Sequence, residues 1–488
     1  VKRPRRALIP ALLALAALLV PRAAARAAGP PSLGRALDAI LDRPALRAAF
    51  WGVEVRSLKT AKLLYARNEA KAFRPASTLK LVTTAAALDA FGPEARLRTS
   101  LETAARRDGA GRILGDVFLV GRGDPSLGGG RHGDGRPLRP FEDMAEALRA
   151  AGITRIEGRV VGHEGLFTGE RRGNDWGWED LVWSYGAEVS ALSFNDNSVG
   201  LSLAPGEQAG DPAVLDAVPA SRYYGVASTV TTAPAGARTE LRLVRDAGTN
   251  QIRLSGVIAI GDAPWKGWVA LEDPARFAAT VLAEVLEARG VRVLGGVATS
   301  SAPLPGGRRE LAGHDGPPLS ELIKGINKES RNLHAEALLR LLGVRRGGEG
   351  SVEEGRRAVS EFLERQGVKT EAWGLEDGSG LSRSSVVTPA GLVQLLAAMD
   401  RHPHAAAFRE SLPVAGRDGT LATRLKGTQA AGRVLAKTGT LALVNALAGY
   451  VTTPSGDRLA FAALANDHVE PVAALDALDA LAETLATR

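Results

Sequence analysis

The stretch Arg74 to Thr84, "RPASTLKLVTT", sets Ser77 and Lys80 three positions apart at the head of an alanine-rich apolar run. A serine hydroxyl is a weak nucleophile until a base takes its proton. The sequence has no G-x-S-x-G elbow, and none of its seven histidines sits in a recognisable triad context. Lysine is therefore the base to consider. Residues i and i+3 of a helix share a face, which lets the Lys80 amine reach the Ser77 oxygen. An amine accepts a proton only when neutral, and a free lysine titrates near about 10.4, so burial or a neighbouring cation has to depress Lys80.

A second lysine able to supply that cation is Lys437, in "LAKTGTLALV". K-T-G at the end of a β run suits acyl transfer. Lys437 and Thr438 offer charge and a hydroxyl to a carboxylate, while Gly439 carries no side chain to block the strand edge. An extended peptide can then add to that edge as a strand, with the backbone N–H groups of Ser77 and Thr440 as oxyanion donors. A third element, S-x-N, occurs twice. Ser193 and Asn195 lie in "SALSFNDNSVG", which reads as a turn between strands, and Ser330 and Asn332 lie in "INKESRNLHAEALLR", between two helices, with Ser330 near an N-cap. The second pair is preferred, because a loop between helices presents both side chains to a cleft without being tied into a sheet. Each triplet alone is short enough to arise by chance; the three together, in this order and on these elements, point to one site.

The elements that must position these groups follow from hydrophobic periodicity. A short helix near Leu33 to Leu41 precedes two β runs, "WGVEVRSLKT" and "AKLLYARN". Pro75 suits a helix entry, and Gly92 supplies the stop. From about 95 to 272 the texture is short β-rich runs such as "ILGDVFLVG" and "TELRLVRDAG", interrupted by one clear helix, "FEDMAEALRAAG". Helices dominate after "DPARFAATVLAEVLEARG", and the chain closes with three β runs and a last helix, "PVAALDALDALAETLATR". Strands at both ends and helices between them imply an α+β domain, residues 28–94 and 273–488, interrupted by a β-rich insertion over 95–272.

The 488 residues suffice for two or three domains, and 45% apolar with 24% charged residues is the balance of a globular chain. The net charge of +7 does not point to nucleic acid. Lys2, Arg3, Arg5, Arg6, Arg22 and Arg26 lie in the first 27 residues with no acid, and setting those six aside leaves +1. That basic start, the apolar run "ALIPALLALAALLV" and the small residues after it have the pattern of a secretory signal peptide over residues 1–27, cleaved after Ala25 or Ala27; an uncleaved anchor stays open. No cysteine is present, so disulfides and thiol chemistry drop out.

The set "STLK", "SRN" and "KTG", with Ser330 253 positions after Ser77, resembles the class C low-molecular-mass penicillin-binding proteins, the D-alanyl-D-alanine carboxypeptidase/endopeptidase family. The runs "VGRGDPSL", "ALSFNDNSVGLSLAPG", "GLEDGSGLSR" and "LPVAGRDGTLATRLKGT" extend the resemblance over nearly all of the chain after residue 27. It implies a serine β-lactamase/transpeptidase-like domain, an antiparallel sheet flanked by helices with a helical subdomain. It also implies periplasmic action on peptidoglycan stem peptides and covalent inhibition by β-lactams. In that reading Ser77 attacks, Lys80 is the base, Ser330 relays a proton, Asn332 holds the substrate amide, and Lys437 with Thr438 grips the terminal carboxylate. Asp180, with Tyr185 nearby, and Arg383 would recognise the charged end of a diaminopimelate side chain; Ala442 departs from the longer or polar residue some relatives carry.

Other features carry less. "RGD" at Arg122 reads as a strand-end turn, "GGGRHGDG" as a flexible loop without a phosphate-binding lysine, and "HPH" at His402 as a solvated helix start. No metal or cofactor motif is present. Trp176 and Trp178 suit a glycan-contacting groove, but burial is the commoner role of tryptophan. A β-lactamase would need a dedicated base to deacylate drug quickly. An inert peptidoglycan-binding scaffold would be free to lose motif residues, and all three motifs are intact. Peripheral membrane contact stays open beside the uncleaved-anchor alternative, and the sequence sets no oligomeric state.

Overall fold

The computed structural model describes residues 32–488, so the export segment expected over residues 1–27 lies outside it. Its centre is a five-stranded antiparallel sheet in the order Val434–Leu441, Val444–Thr452, Arg458–Asn466, Phe50–Ser57, Leu63–Arg67. The N-terminal hairpin is thus paired with the last strand, Val53 opposite Ala463. Alternation along Arg458–Asn466 sends Ala460, Ala462 and Leu464 to one face and Leu459, Phe461, Ala463 and Ala465 to the other. Both sets are apolar because both faces are covered. Helices Leu33–Leu41 and Pro471–Ala486 close one side; Pro389–Asp400 and Lys80–Phe91 lie on the other.

Lys80–Phe91 is buried from Lys80 through Leu88, the pattern of a central rather than a surface helix, and it stops at Gly92 with φ 75°. Around it pack Leu319–Lys328, Asn332–Arg346 and Val352–Arg365. Among the described residues no helix is long and apolar enough to cross a membrane.

The insertion has its own core and its own five-stranded sheet, ordered Val297–Ser300, Val160–His163, Val117–Val120, Arg98–Thr103, Arg309–Asp315. Here the expected return to the catalytic domain after residue 272 is corrected. Phe277, Val281, Leu282 and Leu286 of helix Pro274–Ala288 face the insertion core, and strands up to Asp315 pair with its sheet. Leu319 is the next buried member of the catalytic core. Amphipathic periodicity identifies a helix, but not which of two cores its apolar stripe meets.

Candidate active site

Ser77 lies on a short 3-10 turn, Ala76–Leu79, that runs directly into Lys80–Phe91. Pro75 opens the turn, and its carbonyl accepts from the Thr78 hydroxyl at 2.7 Å and the Thr78 N–H at 3.3 Å. Ala76 takes φ 46°, a strained value for a residue with a Cβ. Ser77 stays half-buried while Lys80 is wholly buried. The Lys80 amine is 2.8 Å from Ser77 Oγ, 2.7 Å from Asn332 Oδ1 and 2.7 Å from the Ser379 carbonyl oxygen. The last two are acceptors only. A neutral amine therefore spends its two hydrogens on them and points its lone pair at the serine hydroxyl, the one partner with a proton to give. The Asn332 orientation is set from its other end, where Nδ2 donates to the Tyr185 carbonyl at 2.9 Å.

Burial lowers the Lys80 pKa to about 7, against the opposing pull of the Asp377 and Glu336 carboxylates. Burial, and then the charge of Lys80, hold Lys437 well below the ordinary lysine value. The expectation that Lys437 supplies the cation that depresses Lys80 is thus corrected: removal from water acts first on both amines. Lys437 Nζ donates to Ser330 Oγ at 3.0 Å and to the Thr438 carbonyl at 2.9 Å. Ser330 does not cap a helix. It stands one residue ahead of the Arg331 N-cap, with φ 60°, a left-handed conformation that non-glycine residues hold only under constraint.

Strand Val434–Leu441 is the end of the sheet. Its first half is covered, since Ala415 N–H bonds Val434 O and Ala436 N–H bonds Pro413 O; among the described residues nothing pairs with the outer edge from Lys437 to Leu441. Gly439 has a different reason from the one expected. A Cβ there would come 2.7 Å from the Pro75 carbonyl oxygen, so glycine seats the strand against the serine turn. The Thr438 hydroxyl bonds that of Thr420 at 2.8 Å, and Thr440 is exposed.

The rival S-x-N is satisfied within the insertion: Ser193 Oγ bonds the Ser190 carbonyl and Asn195 Nδ2 the Ser198 carbonyl. Its neighbour Asp196, within a left-handed run of three residues, reaches across to His334 Nε2 at 2.8 Å. It thereby clamps the helix that carries Asn332. "HPH" is also less solvated than expected, because His402 packs against Asp89 with an Nε2–Oδ1 distance of 3.2 Å.

Sequence reasoning missed the platform beneath Lys80. The "DGSG" loop passes so close to the serine turn that a Cβ on Gly380, φ 77°, would lie 1.9 Å from the Ala76 carbonyl oxygen. Asp377 holds this loop through the N–H groups of Gly380 and Ser382 at 3.0 and 2.7 Å. Glu336 accepts from the N–H groups of Gly378 and Ser379 at 3.0 and 2.9 Å, and burial and Asp377 push its carboxyl up to about 7. A signal was available: Asn332, Glu336 and Arg340 recur every four residues, a polar stripe along a helix whose intervening positions are mostly apolar.

Asp180 accepts from the Tyr185 hydroxyl at 3.3 Å, and Tyr185 is tied to Asn332 by the main-chain bond above. Arg383 is exposed and has no bonded partner among the described residues; no ion pair joins it to Asp180. Their loops do meet, through Ser384 Oγ to Asp175 at 2.6 Å and Trp176 Nε1 to Asp377 at 3.1 Å. The tryptophan pair divides: Trp176 is held in this seam, whereas Trp178, expected to be buried, is 82% exposed.

A buried lysine amine 2.8 Å from a half-open serine, beside a free strand edge, is the arrangement of an acyl-serine peptidase of the penicillin-interacting class. Residues 33–488 match the model of the D-Ala-D-Ala carboxypeptidase 3 (S13) family, and the chain belongs to that family. It is a serine-type DD-peptidase. Among relatives, a D-alanyl-D-alanine carboxypeptidase of Actinomadura sp. (strain R39) is 36% identical over 462 residues, 92% of this chain and 84% of its own. The D-alanyl-D-alanine carboxypeptidase DacB of Haemophilus influenzae is 28% identical over 399 residues, 80% of each chain. The crystal structure of penicillin binding protein 4 from H. influenzae superposes with a TM-score of 0.77 at 25% identity, covering 91% of this chain and 97% of that one.

Proposed function

We propose that the protein hydrolyses both the terminal D-alanyl-D-alanine bond of peptidoglycan stem peptides and D-alanyl-diaminopimelate crosslinks, in the periplasm, through an ester on Ser77. The observation that carries this reading is the buried Lys80 amine, 2.8 Å from Ser77 Oγ and titrating near 7. Lys80 takes the hydroxyl proton as Ser77 Oγ bonds to the penultimate D-alanine carbonyl carbon, and the N–H groups of Ser77 and Thr440 receive the oxyanion. Collapse breaks the C–N bond, and the departing amine takes a proton through Ser330, whose hydroxyl is 3.0 Å from Lys437. Water then attacks the ester and restores Ser77.

Lys437 and Thr438 receive the substrate carboxylate. An anion beside Lys437 favours its charged form, so binding raises the pKa that burial lowered. Asn332 fixes the Lys80 amine, and it can hold the substrate amide once its Nδ2 leaves Tyr185 O. Asp180 and Arg383 receive the amine and carboxylate of a diaminopimelate side chain, their two loops joined beside Tyr185. A β-lactam, which mimics the dipeptide, acylates the same serine.

The test is to incubate pentapeptide monomer and crosslinked dimer separately with the protein and weigh the products. Loss of one D-alanine from the monomer and conversion of dimer to monomers are both expected. If neither substrate is cut by protein that a fluorescent penicillin still labels, the substrate assignment is wrong. Removing the diaminopimelate charges by amidation and acetylation is expected to raise KM in the wild type and to have little effect in Asp180→Asn/Arg383→Ala; equal effects in both would sink the recognition role.

A further inference from the structure

The exposed ring of Trp178 belongs to a built cleft outside the catalytic groove. A cavity of about 480 Å³ in the insertion is lined by Trp178 and Trp183, the aliphatic side chains of Leu243 and Val244, and the charged Arg172 and Asp246. A tryptophan 82% exposed is uncommon on a protein surface, where that ring normally finds cover. Its loop is anchored: Asp180 N–H bonds Gly177 O at 2.8 Å, Trp183 N–H bonds Asp180 O at 3.0 Å, and the buried Arg245 holds Leu181 O at 2.8 Å. In the wall of the cleft Arg245 and Arg172 both pair with Glu272 at 2.5 Å. The ring is thus held outward by ordered structure, an apolar face with polar groups at its rim, which is the chemistry that binds a sugar through its C–H face and its hydroxyl and amide edge.

The same loop faces the catalytic centre on its other side. Trp183 precedes by two residues Tyr185, whose carbonyl is 2.9 Å from Asn332 Nδ2. Two residues span at most about 7 Å, whereas a four-residue stretch of stem peptide extends to about 14 Å. A glycan unit at the Trp183 end of the cleft and its own stem peptide in the groove are therefore within reach of each other. Resting on the proposed peptidoglycan substrate, we infer that the Trp178–Trp183 cleft is a subsite for the amino sugar from which the scissile stem peptide hangs.

The experiment compares KM for disaccharide-pentapeptide with KM for the bare pentapeptide, in the full chain and in Trp178→Ala, and titrates the wild type with the peptide-free disaccharide by tryptophan fluorescence. The expected result is a lower KM for the sugar-bearing substrate by roughly three- to tenfold, the scale of one aromatic stacking contact. That advantage collapses in the variant, and the disaccharide alone perturbs the fluorescence. Equal KM for the two substrates in the wild type, or an advantage that survives in Trp178→Ala, overturns the subsite while leaving the peptidase reading intact. So does concentration-dependent dimerisation, or binding to lipid vesicles, that Trp178→Ala abolishes. Failure of the wild type to cut even bare pentapeptide instead strikes the substrate proposal itself.

Discussion

Acidification tests the proposed base directly. A lysine titrating near 7 is about half neutral at pH 7, whereas one at the ordinary 10.5 would be neutral in roughly 3 molecules per 10,000, so burial of Lys80 raises the population of competent base about a thousandfold. Protonation removes the base, so acylation falls as pH drops through 7; from pH 8 to pH 5 the neutral fraction declines about ninetyfold. Glu336 modifies this limb, because it also titrates near 7 and reaches the Ser379 N–H whose own carbonyl holds Lys80. As pH falls, Glu336 loses its charge, ceases to stabilise the ammonium and partly offsets the protonation of Lys80, so the limb is shallower than one decade per unit. Glu336→Gln keeps an acceptor for both N–H groups and removes the charge. It is expected to steepen the limb to unit slope and move it to lower pH, by on the order of one unit. The assay is the second-order rate of fluorescent-penicillin labelling from pH 5 to 10, with thermal melts to confirm folding. A rate that stays flat down to pH 5, or climbs tenfold per unit past pH 9, would refute the reasoning.

Ser77→Ala should abolish covalent labelling while shifting the melting midpoint little, since a half-buried hydroxyl is all that is lost; equal labelling of both proteins would remove Ser77 from the mechanism. Gly380→Ala puts a methyl group against the Ala76 carbonyl at φ 77° and is expected to cost about 1–3 kcal/mol and to slow acylation by displacing the serine turn. Unchanged denaturation and labelling would show that the two loops are not held in register. Phe277→Ala, at a ring wholly buried against Phe194 and Tyr223, should cost about 3–5 kcal/mol in urea unfolding yet leave labelling of the folded protein intact. A loss below about 1 kcal/mol would mean that the helix does not belong to the insertion core.

Most of the catalytic sheet was legible, because its strands alternate or run apolar for a few residues between turn signals, and the last three close the chain in order. The insertion boundary was not. Helix Pro274–Ala288 has the same stripe whichever core it serves, and of the short strands Val297–Ser300 is only half-buried and Arg309–Asp315 mostly exposed, with weak alternation. The left-handed backbone of Ser330 also escaped, since it leaves no mark in a local sequence rich in helix formers.

The chain alone determined the candidate reacting residues and their order: S-x-x-K at a helix entry, S-x-N between helices and K-T-G on a strand are short-range patterns, set by neighbours within one turn or one strand. Tertiary structure decided what suits Lys80 to the proposed role of base. Its low pKa comes from complete removal from water, its orientation from Asn332 and the Ser379 carbonyl far along the chain, and its electrostatic setting from Asp377 and Glu336. Desolvation depends on everything packed around a group, and no local spacing records it.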